Sequence, residues 1–194
     1  MIQKYNTTIK TGKTGDYVYI GDYIPRNKTG EYIKYNRGFY DYSELILKYK
    51  KGDPKTVAFF IEILNDIIYN YFYFYDLIIP VPPSNSYLDI YPNAVVCSYL
   101  SKLGIIDTAL KAIVCSKGHK PGHIAGIETK KKELSYISVA DKNDFLSKNI
   151  IILDDIITTG ATFSYIKKNF LKKGANSVAG LFLGKTYSGC GSHE

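Results

Sequence analysis

Residues 148–154, "KNIIILD", hold an unbroken aliphatic stretch from Ile150 to Leu153 that ends in two adjacent acids, Asp154 and Asp155. A strand that is apolar at every position, rather than at alternate ones, must be covered on both faces, which is the situation of a strand inside a parallel sheet. The same kind of run recurs in "YDLIIPVPP" (75–83) and "SVAGLFLGKTY" (177–187), with "ALKAIVC" (109–115) and "LSYISVA" (134–140) as further strand candidates. Helical segments separate these runs. "KTVAFFIEILNDIIYNYF" (55–72) is apolar on most faces, "PNAVVCSYLSKL" (92–103) has Pro at its first turn and Gly104 behind it, and "TFSYIKKNFLKKG" (162–174) is closed by Gly174. "YDYSELILKYKKGDP" (40–54) reads as a helix with a start led by Ser43 and a stop at Gly52 and Pro54. Aliphatic strands alternating with helices predict an α/β fold, an open and mainly parallel twisted sheet flanked by helices.

Residues 1–35 differ in composition, being rich in Tyr, Gly, Thr and Lys, and predict short strands such as "DYVYIGDYI" (16–24) ahead of Pro25. They are expected to form a small N-terminal hood or extension of short strands, with 36–194 as the main α/β domain. Tyr17, Tyr19 and Tyr23 in that segment are candidates either for core packing or for a stacking surface.

Hydrophobic residues make up 45% and charged residues 22%, the balance of a globular chain rather than a disordered one. The opening "MIQKYNTTIK" lacks the apolar core of a signal peptide, and no run approaches the length of a membrane span, so no membrane partner is expected. Three cysteines, Cys97, Cys115 and Cys190, follow no disulfide-framework spacing, and a reducing cytoplasm is the simplest compartment. The formal charge is +7, nearly all of it from scattered lysines, with clusters only at "KYKK" (48–51) and "KKK" (130–132). Most of these lysines read as solvated surface. The charge admits anionic partners, but no base-reading motif or basic helix speaks for nucleic acid.

The chemistry concentrates in "NIIILDDIITTGATF" (149–163). In open α/β sheets ligands bind at the carboxyl ends of strands, where loops meet helix N-termini. Asp154 and Asp155 sit at such an end, and a helix is due about seven residues later. Thr158, Thr159 and Thr162 offer hydroxyls, Gly160 admits a positive φ, and the backbone N–H groups from Thr158 through Ala161 can cradle an anion at the helix start. The carboxylates can accept from a vicinal diol or help hold a divalent cation. A diol on one side and a phosphate on the other describe a ribose 5-phosphate. The plain alternative is a capped strand–helix turn with Asp155 satisfied by backbone amides.

"IIILDDIITTGAT" (150–162) resembles the phosphoribosyl pyrophosphate signature of type I phosphoribosyltransferases. "YNRGFYDYSELILKYKKGD" (35–53) followed by a long helix and "IIPVPPS" (78–84) is similar to the ComF-like (competence protein ComF) subgroup of that family. The chain departs from that subgroup in two places. No cysteine precedes Cys97, so its N-terminal zinc finger is lacking, and "SNSYLDIYPNAV" (84–95) holds neither the arginine nor the "RGFNQ" segment usual after the "PVP" loop.

The resemblance implies a transferase that binds 5-phosphoribosyl 1-pyrophosphate and passes the phosphoribosyl group to a nitrogenous base or similar small-molecule acceptor, releasing pyrophosphate. It implies that Asp154 and Asp155 bind the ribose hydroxyls and that Thr158, Thr159, Gly160, Ala161 and Thr162 bind the 5-phosphate. Val81, Pro82, Pro83, Ser84 and Asn85 would form the pyrophosphate loop, where Ser84 and Asn85 are the better donors because proline has no N–H. A strand merely stopped by prolines at the surface is the alternative there. Mg²⁺ would be the cofactor, carried by the pyrophosphate with Asp154 or Asp155 as its candidate protein ligand. Lys117 or Lys120, in the glycine-flanked "SKGHKPGHIAG" (116–126), would cover the pyrophosphate from a mobile loop, unless this is an ordinary solvated loop. A homodimer is compatible with the resemblance. Competing functions are a non-catalytic regulator that binds phosphoribosyl pyrophosphate or a nucleotide, and a ComF-like accessory role in DNA uptake.

Two other patterns are weaker. Cys115, His119 and His123 are spaced by four but have no fourth ligand nearby and are interrupted by Pro121 and Gly122. "TTIKTGKT" (7–14) has Thr7 where a phosphate-binding P-loop needs glycine, and no strand before it.

Overall fold

The structure is a computed structural model, and it describes residues 9–12, 14–25, 37–83, 90–115, 136–140 and 143–187. Along the chain these form β1 (Lys10–Thr11), β2 (Tyr17–Tyr23), α1 (Arg37–Lys50), α2 (Pro54–Tyr71), β3 (Leu77–Pro80) and α3 (Pro92–Lys102). There follow β4 (Asp107–Thr108), β5 (Ile113–Cys115), β6 (Ile137–Val139), a short 3₁₀ turn at Asn143–Phe145, β7 (Asn149–Ile157), α4 (Ala161–Lys172) and β8 (Ser177–Thr186).

Six strands make one sheet in the order β1-β2-β8-β7-β3-β4, parallel throughout except for the antiparallel edge pair β1–β2. The predicted open, mainly parallel sheet is therefore present. Its centre is β7, whose residues Ile150 to Leu153 are all fully buried. The period of a strand sends them alternately to opposite faces. Ile151 and Leu153 join Ile46, Phe60, Leu64, Val96 and Leu100 under α1, α2 and α3. Ile150 and Ile152 join Phe163, Ile166 and Phe170 under α4. Two cores on two faces require the unbroken aliphatic run, and each such side chain contributes about 1.5–3 kcal/mol on burial.

The helix ends follow local chemistry. Asp53 caps α2 by accepting from the Thr56 N–H at 2.9 Å, with Pro54 in the first turn. Gly52 closes α1 with φ +76°, a conformation that a side chain disfavours. Two expectations meet differences. Helix α1 starts at Arg37, so Ser43 lies inside it, buried, and its hydroxyl accepts from the Ile24 N–H at 2.9 Å. The strand expected over 109–115 is confined to β5, which pairs antiparallel with β6 in a separate two-stranded sheet, while β4 supplies the parallel neighbour of β3. The described part of the N-terminal segment extends the main sheet, because β2 pairs with β8 from Tyr17 to Tyr23. That pairing satisfies the backbone N–H and C=O groups along the edge of β2 that faces β8.

Tyr17 packs edge-on against Phe163 and Phe182, at 6.1 and 5.6 Å between ring centroids, which favours its core role. Among the described residues no helix is long and apolar enough to cross a membrane.

Candidate functional site

The connections out of β3 and β7 diverge. Helix α3 carries the chain from β3 outward to β4, whereas α4 carries it from β7 the other way to β8. The crevice between the carboxyl ends of β3 and β7 is thus the point where strand order reverses, the place where an open α/β sheet binds ligands. Pairing continues to the very end, since the Val81 N–H donates to the Leu153 carbonyl at 2.9 Å. Pro82 and Pro83 are thereby set beside Asp154.

A cavity of about 350 Å³ opens there. Val81, Pro82 and Pro83 form one wall, Asp154, Asp155 and Thr162 another, and Lys50, Tyr91 and Tyr136 stand around them. Thr158, Thr159 and Gly160 wall a second cavity of about 310 Å³, together with Thr14, Asp16, Ser164 and Lys185, and the two cavities share no lining residue. Ala161 is the first residue of α4. The turn between the acids and the helix depends on Gly160, whose φ of +77° lies in the left-handed region where a Cβ is strained. Its carbonyl accepts the first helical bond from the Ser164 N–H at 2.8 Å. The Thr159 hydroxyl lies 3.4 Å from the Ala161 N–H. An anion at this helix start would meet backbone donors and the positive end of the helix dipole.

The two acids sit in unequal surroundings. Asp155 accepts from the Ile156 N–H at 2.8 Å through Oδ1, and its Oδ2 lies 3.1 Å from the Lys50 ammonium. Asp154 accepts from the Asp155 N–H at 2.8 Å through Oδ1. Burial, and then the charge of Asp155, push the Asp154 carboxyl well above the usual range, while that N–H and Lys50 work against the rise. For Lys50, burial works to lower the ammonium, but the charge and hydrogen bond of Asp155 outweigh it and hold it above its ordinary value. Burial also raises the Cys115 thiol, with Asp154 adding to the effect, so this cysteine is a poor nucleophile.

Three of the four carboxylate oxygens already hold a donor. Among the described residues no group of three or more His, Cys, Asp or Glu side chains could enclose a metal ion. Such a donor set does not make an all-protein cage, and a divalent cation at this pair would need further ligands from outside the protein, such as phosphate oxygens and water.

Of the candidate residues, Asp154, Asp155, Thr162, Val81, Pro82 and Pro83 meet on one cavity, with Thr158, Thr159 and Gly160 on the second. Ser84, Asn85, Lys117, Lys120, His119 and His123 lie outside the described residues. Lys50 was not singled out in the sequence, where it is one lysine of the "KYKK" cluster. The one local sign was its place in the last turn of α1, where a cation is expected for helix-dipole reasons alone. Tyr49 and Asn93 were also missed. The Tyr49 hydroxyl donates to Asn93 Oδ1 at 2.8 Å, tying the end of α1 to the start of α3 beneath the cavity. A larger cavity of about 660 Å³ between α2 and α3 is walled mainly by apolar side chains such as Val57, Ile61, Val95 and Leu103 and touches neither acid.

No protein-family model and no curated protein matches the chain. Among solved structures it is similar to a purine phosphoribosyltransferase from Pyrococcus horikoshii, with 20% identity, 65% of this chain and 80% of that chain covered, and a TM-score of 0.41. It is similar to a hypoxanthine phosphoribosyltransferase from Trypanosoma cruzi, with 16% identity, 79% and 73% covered, and a TM-score of 0.42. It is also similar to the allosteric regulatory enzyme of purine biosynthesis, with 18% identity and a TM-score of 0.37, covering 55% of this chain but only 21% of that one. At TM-scores below 0.5 these likenesses carry no functional weight, which rests on the chain's own residues.

Proposed function

We propose that this protein is a phosphoribosyltransferase that binds 5-phosphoribosyl 1-pyrophosphate and transfers the phosphoribosyl group to a nitrogenous base or similar acceptor. One observation carries it: at the reversal point of the sheet two adjacent carboxylates, an acceptor pair for a diol, share a cavity with Thr162 in the first turn of a glycine-started helix, whose N-terminus is a donor set for a phosphate. Asp154 and Asp155 would accept from the ribose hydroxyls, and the Thr158–Thr162 turn would hold the 5-phosphate. The pyrophosphate would lie along Val81–Asn85, covered by Lys117 or Lys120.

In the reaction, the C1–oxygen bond breaks and its electron pair leaves with the pyrophosphate. The acceptor nitrogen supplies the pair for the new bond to C1 and sheds its proton to solvent. The ring passes through an electron-poor state, which the Asp155 carboxylate, held at both oxygens, stabilises by charge rather than by proton transfer, joined by Asp154 above its raised pKa. Mg²⁺, held by the pyrophosphate oxygens with Asp154 or Asp155 as its protein ligand, would supply charge neutralisation on the leaving group. A second reading, a non-catalytic regulator using the same pocket, is favoured by the absence of any arginine from "SNSYLDIYPNAV" behind the "PVP" loop. Pyrophosphate release measured with a panel of purine, pyrimidine and pyridine acceptors separates the two. Turnover with any acceptor supports the transferase; calorimetric binding of phosphoribosyl pyrophosphate without turnover supports the regulator.

A further inference from the structure

Asp155 is anchored at both oxygens by donors from different parts of the fold. The Ile156 N–H, in β7, holds Oδ1, and the Lys50 ammonium, from the last turn of α1, reaches Oδ2. A carboxylate held at one oxygen can rotate about its last bond; one held at both cannot. Each carboxylate oxygen has two acceptor sites, so each anchored oxygen keeps one for a ligand, and the plane of those remaining sites is fixed by Lys50. Lys50 itself is well placed to do this. Its neighbour Tyr49 locks the end of α1 to Asn93 at the head of α3, and the Lys50 side chain, 44% exposed, lies along the cavity rather than inside the core.

We propose that Lys50 is a positioning residue for sugar discrimination: by holding Asp155 in one orientation it sets the preference for a ribose 5-phosphate, with its vicinal diol, over a 2-deoxyribose 5-phosphate. The inference rests on the ribose-phosphate reading of the site. A merely electrostatic or structural lysine would affect both sugars alike, because both carry the same phosphate.

The test is calorimetric titration of the full chain with ribose 5-phosphate and with 2-deoxyribose 5-phosphate, for the wild type, Lys50→Met, Lys50→Gln, Lys50→Arg and Lys48→Met. Lys48 is exposed on the same helix and controls for net charge. The wild type is expected to prefer the ribose by about tenfold, the effect of one charge-assisted hydrogen bond. Lys50→Met and Lys50→Gln should lose that preference to within about twofold, Lys50→Arg should restore most of it, and Lys48→Met should keep it. Thermal melting reports whether each variant is folded, and Lys50→Arg against Lys48→Met decides the matter if the neutral variants are not. A full preference retained in Lys50→Met overturns the inference, as does an equal weakening of both sugars that Lys50→Arg fails to reverse. A wild type that binds both sugars equally overturns the Lys50 inference alone. A wild type that binds neither overturns the ribose-phosphate reading and the inference together.

Discussion

Asp154 is the side chain most costly to keep ionised in the site. Burial and the neighbouring Asp155 charge raise its carboxyl well above the usual range. In the unfolded chain it titrates like any exposed aspartate. Folding therefore takes up a proton over the interval between the ordinary value and the raised one. Its contribution to stability is fully present below the ordinary carboxylate pKa and is lost as pH rises through the raised one. Asp154→Asn keeps an acceptor for the Asp155 N–H but removes the charge. We expect this variant to keep its melting temperature as pH rises above the ordinary carboxylate range, where the wild type loses stability. The same substitution should lower any phosphoribosyl transfer by about a hundredfold or more at a pH above the raised value, because there it removes charge set opposite the electron-poor ring. Scanning fluorimetry over that rise in pH, beside a pyrophosphate-release assay, checks both. Stability kept where the wild type loses it, joined to a loss of activity, is the signature of a residue kept for chemistry. The acid pair and Gly160 were legible in the sequence because their geometry is local, an apolar strand and a turn within a few residues, although β7 runs past the acids to Ile157 rather than ending at them. The Lys50–Asp155 pair was not, since it joins α1 to β7 across most of the fold and leaves no periodic trace.

Among the elements, the joint between α1 and α3 governs how Lys50 approaches the acids. It consists of the Tyr49 hydroxyl and the buried Asn93, which is only 6% exposed. Tyr49→Phe preserves the ring, including its edge contact with Phe60 at 5.1 Å, and deletes only the donor. Asn93 Oδ1 then loses its donor in a buried setting, at a cost of about 1–3 kcal/mol. We expect a drop of that size in urea unfolding, and, because the end of α1 is released, a fall of a few fold in ribose 5-phosphate affinity. An unchanged unfolding midpoint would show that the joint contributes nothing. The helices α2, α3 and α4 and the strands β3, β7 and β8 were legible because capping residues, prolines and aliphatic runs mark them locally. The start of α1 was not, since a serine that resembles a cap is in fact an interior acceptor for the Ile24 N–H. Nor was the place of β5, because a short apolar run does not record which sheet it will join.

At the scale of the whole molecule, a net charge of +7 raises the question of where an anion is captured. Lysines are the main carriers of that charge, yet among the described residues several are already matched: Lys10 by Asp22, Lys148 by Asp76, Lys167 by Asp16 and Lys50 by Asp155. The described donors at the turn ahead of α4 are backbone N–H groups and hydroxyls, with Lys185 at the margin and 3.0 Å from the Tyr17 hydroxyl. A phosphate held mainly by fixed dipoles in a cavity exchanges few ions with solvent on binding. A nucleic acid spread over scattered surface lysines would release one counterion for nearly every phosphate neutralised. The two modes differ in salt dependence more than in affinity. We expect ribose 5-phosphate affinity to change by no more than about threefold between about 50 mM and about 500 mM salt, beyond one Debye length of screening. Any association with single-stranded DNA should fall by orders of magnitude over the same range. Calorimetry for the sugar phosphate and fluorescence anisotropy for the DNA supply the two slopes. A steep slope for the sugar phosphate would mean that mobile surface lysines, rather than the turn after Asp155, capture the phosphate.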